Sequence, residues 1–174
     1  MRSRAFPVQG PIHVGSGTMD VPPTPTLHYH RLDPRVKPPT RANNWSIGFD
    51  VFAFLLTESG RATSRQLNQR ATTAVPTGLI VWPSEGYYIQ VHGRSILGKK
   101  GIMIGSAVGI IDPDYSGELD IMLYNGGYET HYVAHEHRIA QLVLVPIVGA
   151  LLYEEPKPPE PFGRGSNGFG STGL

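Results

Sequence analysis

The sequence contains no cysteine among its 174 residues. This absence excludes disulfide-stabilised folds, thiol catalysis and zinc sites with cysteine ligands. Neither sign of charge dominates, because 15 lysines and arginines stand against 14 acidic residues, for a formal charge of +1. A protein that binds nucleic acid through a large basic face is therefore not expected.

The sequence also lacks a long apolar run. The longest, residues 139–152, includes Gln141 and Pro146 and is shorter than the roughly 20 residues that a membrane span needs. The start, MRSRAF, is followed by prolines rather than by the apolar segment of a secretory signal. We expect a soluble protein without a membrane partner, placed in the cytoplasm, with nuclear and mitochondrial placement left open.

Glycine and proline, in contrast, are abundant, with 21 and 16 residues, which disfavours a fold of long helices. Eight of the 16 prolines lie in residues 1–40 and four more in residues 156–161. The length predicts one folded domain. We predict a flexible proline-rich extension over residues 1–27, a β domain over 28–155, and a linker with a glycine-rich mobile C-terminal arm over 156–174.

The body of the chain has the pattern of short β-strands separated by turn residues. Apolar residues alternate with polar ones, as in Leu119, Ile121 and Leu123, and the turns are rich in Gly, Pro, Asn and Asp. We predict an antiparallel all-β sandwich, barrel or jelly roll, with strands at 46–56, 74–82, 87–92, 102–104, 108–111, 119–125, 129–133 and 139–146.

A carboxylate stands at the end of one apolar run. Asp112 follows Val108–Ile111 and opens the turn Asp112-Pro-Asp-Tyr-Ser-Gly117. A carboxylate that is aimed into a cleft can act as a general base. Asp, Pro and Gly are also ordinary turn residues, so the pattern alone leaves both interpretations open.

Two further segments have the composition of phosphate-binding sites. Arg94 and Ser95 offer a guanidinium fork and a hydroxyl to phosphate oxygens. In the tail, Arg164–Gly173, glycines allow close approach of backbone amides, and Phe169 could stack on a base. A solvated strand end and a disordered Gly/Ser terminus are the corresponding structural interpretations.

Three histidines, His131, His135 and His137, are close together in the sequence. Two of them could chelate a metal, but no carboxylate-rich set accompanies them. A solvated hairpin turn is the favoured interpretation.

Taken in order, these segments resemble the five motifs of the homotrimeric dUTP diphosphatase (dUTPase) family. The match spans residues 28–174, and Leu32–Arg35 resembles the family's first strand. The motifs are Ile47–Val51, Gly93–Leu97 preceded by Val75–Gly78, Val108–Gly117, Arg138–Leu142, and Arg164–Gly173.

The resemblance implies a jelly-roll-like β-clip subunit and a homotrimer with active sites between subunits. The implied reaction converts dUTP and water to dUMP and pyrophosphate, which lowers dUTP and supplies the precursor of dTMP. Asp112 would activate the water that attacks the α-phosphorus, and Tyr115 would pack under the deoxyribose. A hairpin around residues 106–111, with Ser106, Gly109 and Ile111, would bind uracil.

The resemblance also implies which residues contact the phosphates and which residues of the C-terminal arm contact the nucleotide. Ser95 would donate to the phosphates, with Arg94, Ile96 and Gln141 beside it, while Asp50 and Arg138 would support the site. In the C-terminal arm, the γ-phosphate and uracil contacts would come from Arg164, Phe169, Gly170, Ser171 and Thr172. The implied cofactor is Mg²⁺, held by phosphate and water oxygens rather than by protein ligands.

The sequence departs from the family pattern at several positions. Ile96 stands where Gly or Ser is common, Ser106 where some members carry Asn, and Glu136-His137 where Gly-Asp is usual. The segment 57–73 is long and polar and is interpreted as an insertion. This insertion and the N-terminal extension are candidates for contact with a further partner. The divergence also leaves a viral or phage origin open.

Two other functions remain as alternatives. One is an interaction or regulatory protein built on the dUTPase scaffold, with weak or no catalysis. The other is a relative of dCTP deaminase, against which the Asp112–Tyr115 turn and the tail argue.

Overall fold

A computed structural model describes residues 24–157 of the chain. Eleven strands and one short helix alternate with turns in this range. The strands are β1 (Leu27–Arg31), β2 (Phe49–Phe52), β3 (Ser64–Leu67), β4 (Ala71–Pro76), β5 (Leu79–Pro83), β6 (Tyr87–His92), β7 (Ile102–Ile104), β8 (Gly109–Ile111), β9 (Asp120–Asn125), β10 (His131–Ala134) and β11 (Arg138–Pro146), with helix α1 (Ser95–Gly98) between β6 and β7.

The strands form four antiparallel sheets around one apolar core. The largest has the order β2-β11-β6-β8, the next has the order β4-β9-β7, and β1-β5 and β10-β3 form pairs. In the largest sheet, Val51, Val91 and Leu142 face inward and are buried in the core. Their neighbours in the sequence point to the other face of the largest sheet, where the polar groups described below lie.

The predicted all-β fold is confirmed. The bounds of β6 and β7 agree with prediction, and the other predicted ranges also overlap observed strands. The single strand predicted over 74–82 is wrong, because the chain forms β4 and β5 with a break at Thr77 and Gly78. Gly78 has a φ of +68°, and a Cβ there would overlap the side chain of Val36.

Two short strands were not predicted. β1 ends at Arg31, and residues 32–35, which the family resemblance assigned to a first strand, form turns instead. In this turn Arg35 donates hydrogen bonds to the Asp33 carboxylate at 2.9 Å and 2.6 Å. These bonds lower the pKa of Asp33 to about 2.

The polar segment 57–73 is part of the fold. It contains β3 and the start of β4, and β3 pairs with β10 in register from His131↔Leu67 to Ala134↔Ser64. Leu67 is fully buried in the core. The interpretation of 57–73 as an insertion is therefore wrong for the part of the segment that forms β3 and the start of β4.

Residues 148–157 belong to a second compact unit and contain neither helix nor strand. Within residues 24–157, no helix is long and apolar enough to span a membrane.

Candidate active site

A buried carboxylate, Asp50, joins three side chains at the centre of the candidate site. Its side chain is 3% exposed. Arg94 Nε lies 3.2 Å from Asp50 Oδ1, and Arg138 Nε lies 3.4 Å from Oδ2. Gln141 Nε2 donates to Oδ1 at 3.1 Å. One carboxylate therefore holds two guanidinium groups and one amide.

The register of the largest sheet explains this arrangement. Asp50 on β2 pairs with Gln141 on β11, and Gln141 pairs with His92 on β6. Directly paired residues of antiparallel strands project to the same face, so the three side chains are neighbours. Arg138 opens β11, and Arg94 follows the end of β6, which brings both arginines to the same end of the sheet.

The charges of this cluster suit an anion. A buried carboxylate is costly unless it is paired and hydrogen-bonded, and Asp50 meets both conditions. It offsets only one of the two positive charges of Arg94 and Arg138. Arg94 is partly exposed and Arg138 is half exposed, so both guanidinium groups remain accessible to a ligand.

Helix α1 carries the next predicted phosphate contacts. Ser95 and Ile96 form its first turn, and both side chains are exposed. The first amides of a helix have no intrahelical acceptor, so this turn can present backbone N–H groups to an anion. Arg94 and Ser95 also line a cleft of about 550 Å³ together with Gly105, Ala107 and Tyr124.

The connection between β7 and β8 is a turn between two sheets rather than a hairpin. β7 pairs with β9, whereas β8 pairs with β6, so the predicted hairpin around residues 106–111 is wrong in its pairing. Ser106 is exposed in this turn, and its carbonyl accepts from Val108 N–H at 2.8 Å. Ala107 has a φ of +65°, a strained conformation of the kind that clusters at functional sites.

Two predicted residues on β8 are held against β6. Gly109 pairs with Val91, and Ile111 pairs with Ile89. A Cβ at position 109 would lie 3.0 Å from Val91 Cβ, so glycine allows the close approach of these two strands.

Asp112 and Tyr115 lie in the turn that follows β8. The Asp112 carbonyl accepts from Tyr115 N–H at 3.1 Å, and the Asp112 side chain is exposed. Tyr115 Oη donates to the Glu118 carbonyl at 2.9 Å. A Cβ on Gly117 would lie 2.5 Å from Tyr115 Oη, so glycine is required for this position of the ring.

Two residues that were not predicted from the sequence, Thr77 and Glu118, hold the end of this turn through hydrogen bonds. Thr77 is buried, and its Oγ1 donates to the Leu119 carbonyl at 2.7 Å. Glu118 Oε1 accepts from Gly78 N–H at 2.8 Å. The family-like segment Val75–Gly78 indicated in the sequence that this region matters. Its contacts with Glu118 and Leu119 are visible only in the structure.

Asp112 and the Asp50 cluster do not meet within one chain. β8 and β11 lie on opposite sides of β6. Ile111 on β8 pairs with Ile89, whereas Gln141 on β11 pairs with His92, three residues further along β6. Strand spacing and rise per residue place the backbones of Asp112 and Gln141 roughly 15 Å apart. One chain therefore presents two separate halves of the predicted site.

Two of the three histidines make structural contacts. His135 Nδ1 accepts from Leu55 N–H at 3.1 Å, and His137 Nδ1 accepts from Ala134 N–H at 3.2 Å. Within residues 24–157, no group of three His, Cys, Asp or Glu side chains could hold a metal ion. The predicted arm residues lie outside the described residues; they are Arg164, Phe169, Gly170, Ser171 and Thr172.

Comparison with known proteins agrees with this architecture. The dUTPase family model matches residues 35–173. The deoxyuridine 5′-triphosphate nucleotidohydrolase of Neisseria meningitidis serogroup A is 43% identical over 141 residues, which are 78% of this chain and 87% of that protein. The protein of the same name from fowl adenovirus A serotype 1 is 34% identical over 152 residues, or 87% of this chain and 80% of that protein.

Solved structures show the same fold. A mutant dUTPase of Staphylococcus bacteriophage 80alpha with dUpNHpp superimposes with a TM-score of 0.67 at 25% identity, over 86% of this chain and 99% of that one. A dUTPase mutant from phage phi11 of S. aureus, described with a structural Mg(II) ion, has a TM-score of 0.63 at 23% identity, over 76% of this chain and 97% of that one. The chain belongs to the dUTPase family.

Proposed function

We infer that this chain is a dUTP diphosphatase, which hydrolyses dUTP to dUMP and pyrophosphate by attack of water on the α-phosphorus. The observation that carries this inference is the cluster in which Asp50 holds Arg94, Arg138 and Gln141, in a chain matched by the dUTPase family over residues 35–173. Phosphoryl transfer depends mostly on positioning and on stabilisation of charge. A preorganised pair of guanidinium groups supplies both.

We propose the following roles for individual residues. Arg94, Gln141 and the first turn of α1 bind the phosphates, with Ser95 donating from its hydroxyl. Asp112 orients the attacking water and accepts its proton as the bond to the α-phosphorus forms and pyrophosphate leaves. The ring of Tyr115 packs under the deoxyribose and leaves no room for a 2′-hydroxyl. The turn at Ser106 and the backbone of β8 bind uracil.

We propose that the complete site is assembled between chains of a homotrimer. The separation of roughly 15 Å between Asp112 and Gln141 within one chain supports this proposal. Arg164 then contacts the γ-phosphate, and Phe169 stacks on uracil as the arm closes. A closed arm excludes water and completes the site.

Mg²⁺ is the proposed cofactor, and the donor set of the site fits this ion. The described phosphate-binding residues are cations, amides and a hydroxyl, so the oxygen ligands that Mg²⁺ prefers come from the triphosphate and water. Bound in this way, the ion supplies neutralisation of the phosphate charge. We further propose that the enzyme acts on the nucleotide pool of the cytoplasm.

The test is pyrophosphate release from dUTP, dCTP, dTTP and UTP, each with Mg²⁺ and with a chelator. We expect Mg²⁺-dependent release from dUTP alone. Release of ammonia from dCTP would indicate the deaminase alternative, and binding without release would indicate an interaction protein.

The Asp112→Asn variant tests the proposed base. We expect a folded protein that still binds nucleotide but has lost at least ~100-fold in kcat, since general-base catalysis contributes about 10²–10⁴-fold. Asp114→Asn is the matched control, because Asp114 lies in the same exposed turn. Turnover of Asp112→Asn at the wild-type rate would show that another group activates the water.

A further inference from the structure

A second cleft, of about 520 Å³, lies beside α1 and is bounded by β10 and the start of β11. Its walls carry four cationic side chains, which are Lys37, Arg94, Lys100 and Arg138. Glu136 is the only acidic residue among its lining residues in the described part of the chain. The cleft is therefore basic, although the whole chain is close to neutral.

Two of the four cations of this cleft are held in place by an aromatic ring. Lys37 Nζ lies 4.6 Å from the centre of the Phe52 ring, and Arg138 Cζ lies 5.7 Å from it. Cation–π contacts of this kind stabilise a charge over the ring face. Because these groups are already positioned, an anion that binds them pays less of the usual cost of ordering side chains.

The positive charge of the cleft is only partly offset. Asp50 pairs with both arginines, and Glu136 Oε2 lies 3.7 Å from Lys37 Nζ. Two carboxylates thus stand against four cations. The positive charge that remains at this accessible surface favours the binding of an anionic ligand.

Continuity with the phosphate end of the active site indicates which anion this is. Arg94 lines both this cleft and the cleft that contains Ser95. Ile96, the next residue of α1, also lines the basic cleft. A phosphate chain that starts at Ser95 can therefore extend past Arg94 into the basic cleft.

Glu136 occupies this cleft in a strained conformation. Its φ is +61°, and non-glycine residues in this region persist where the surrounding structure compensates for the strain, often at functional sites. The strain places a carboxylate next to Lys37, the lysine that an incoming anion would contact.

We propose that the basic cleft is a phosphate subsite, in which Lys37 and Lys100 hold a phosphate group and Glu136 competes with that group for Lys37. The ligand is either the terminal phosphate of the bound nucleotide or free pyrophosphate after hydrolysis. This subsite rests on the proposed function. Lysine ammonium groups suit it because they bind phosphate as compact point charges without requiring a fixed fork geometry.

The experiment compares Lys37→Ala, Lys100→Ala and the double variant with the wild-type full-length protein. Pyrophosphate is titrated into each protein by calorimetry, and KM and kcat for dUTP are measured separately. We expect the double variant to bind pyrophosphate at least tenfold more weakly, because both charge-assisted contacts to the phosphate are lost. Lys99→Ala is the matched control, because Lys99 is exposed but does not line the cleft.

Glu136→Gln gives the opposite expectation. It removes the competing charge and keeps the size of the side chain, so pyrophosphate should bind about threefold more tightly, in the range measured for exposed charge pairs. Thermal unfolding of each variant verifies that the fold is retained.

The outcomes separate the two sources of the anion. A rise in the KM for dUTP together with weaker pyrophosphate binding identifies the terminal phosphate of the substrate. Weaker pyrophosphate binding with an unchanged KM identifies the released product. No measurable pyrophosphate binding by the wild type, or equal binding by the double variant and Lys99→Ala, overturns the subsite. Failure of the wild type to hydrolyse dUTP would overturn the proposed function instead, because the calorimetric titration requires no turnover.

Discussion

At the scale of single residues, Glu136 makes a backbone hydrogen bond while it holds a strained backbone conformation. Its left-handed φ of +61° is one that glycine adopts freely, and its N–H donates to the Ala53 carbonyl at 2.8 Å. Gly at this position, as in the usual family pattern, keeps that hydrogen bond and removes the strain. We expect Glu136→Gly to raise the free energy of unfolding by about 0.5–1 kcal/mol, measured by urea denaturation at one protein concentration.

Glu129→Gly is the matched control for this prediction. Glu129 is exposed and is not among the residues with positive φ, so glycine there only adds freedom to the unfolded chain. This control should be slightly destabilised. Equal destabilisation of both variants would mean that the backbone at position 136 carries no strain.

At the scale of elements, the turn after β8 depends on a glycine that gives room to a ring. In Gly117→Ala the new Cβ displaces Tyr115, because it would lie 2.5 Å from the Tyr115 hydroxyl. The proposed barrier to a 2′-hydroxyl is then loosened. We expect the ratio of kcat/KM for dUTP to that for UTP to fall about tenfold, in line with the selectivity of steric pockets.

Ser116→Ala provides the comparison, since Ser116 is an exposed neighbour in the same turn. It should retain the wild-type ratio. An unchanged ratio in Gly117→Ala would place discrimination against UTP elsewhere in the site.

Elements with regular alternation were predictable from the sequence, and those defined by long-range contacts were not. β6 and β7 have the predicted bounds because alternating apolar residues end there at glycine or proline turns. β3 was missed because only its last residue, Leu67, is buried. At the break, a Cβ on Gly78 would overlap Val36, a residue far away in the sequence, and no local pattern shows this contact.

The same distinction applies to the site. The motifs identified Asp50, Arg94, Arg138 and Gln141 individually. The register of β2, β11 and β6 brings the last three side chains to the carboxylate of Asp50. No local pattern indicates that register. The basic cleft was missed for the same reason, because Lys37 and Lys100 come from distant segments with no motif of their own.

At the scale of the whole molecule, the distance between Asp112 and Gln141 bears on how many chains build the proposed site. Within one chain the backbones of Asp112 and Gln141 lie roughly 15 Å apart, whereas a general base acts within a hydrogen-bond reach of about 3 Å. The proposed homotrimer would bring the two halves together from different copies of the chain.

Mixed trimers test this arrangement directly. Asp112→Asn and Gln141→Ala each remove one half of the site, so each protein alone should have little activity. When the two are unfolded together and refolded at equal concentration, an intact site forms wherever Asp112 from one variant meets Gln141 from the other. Random assembly of a closed ring makes this pairing at about one quarter of the interfaces, and we expect about one quarter of the wild-type kcat per site. Refolding each variant separately and mixing afterwards is the control. Restored activity in that control would reflect subunit exchange, and no restoration after co-refolding into trimers would mean that each chain builds its site alone.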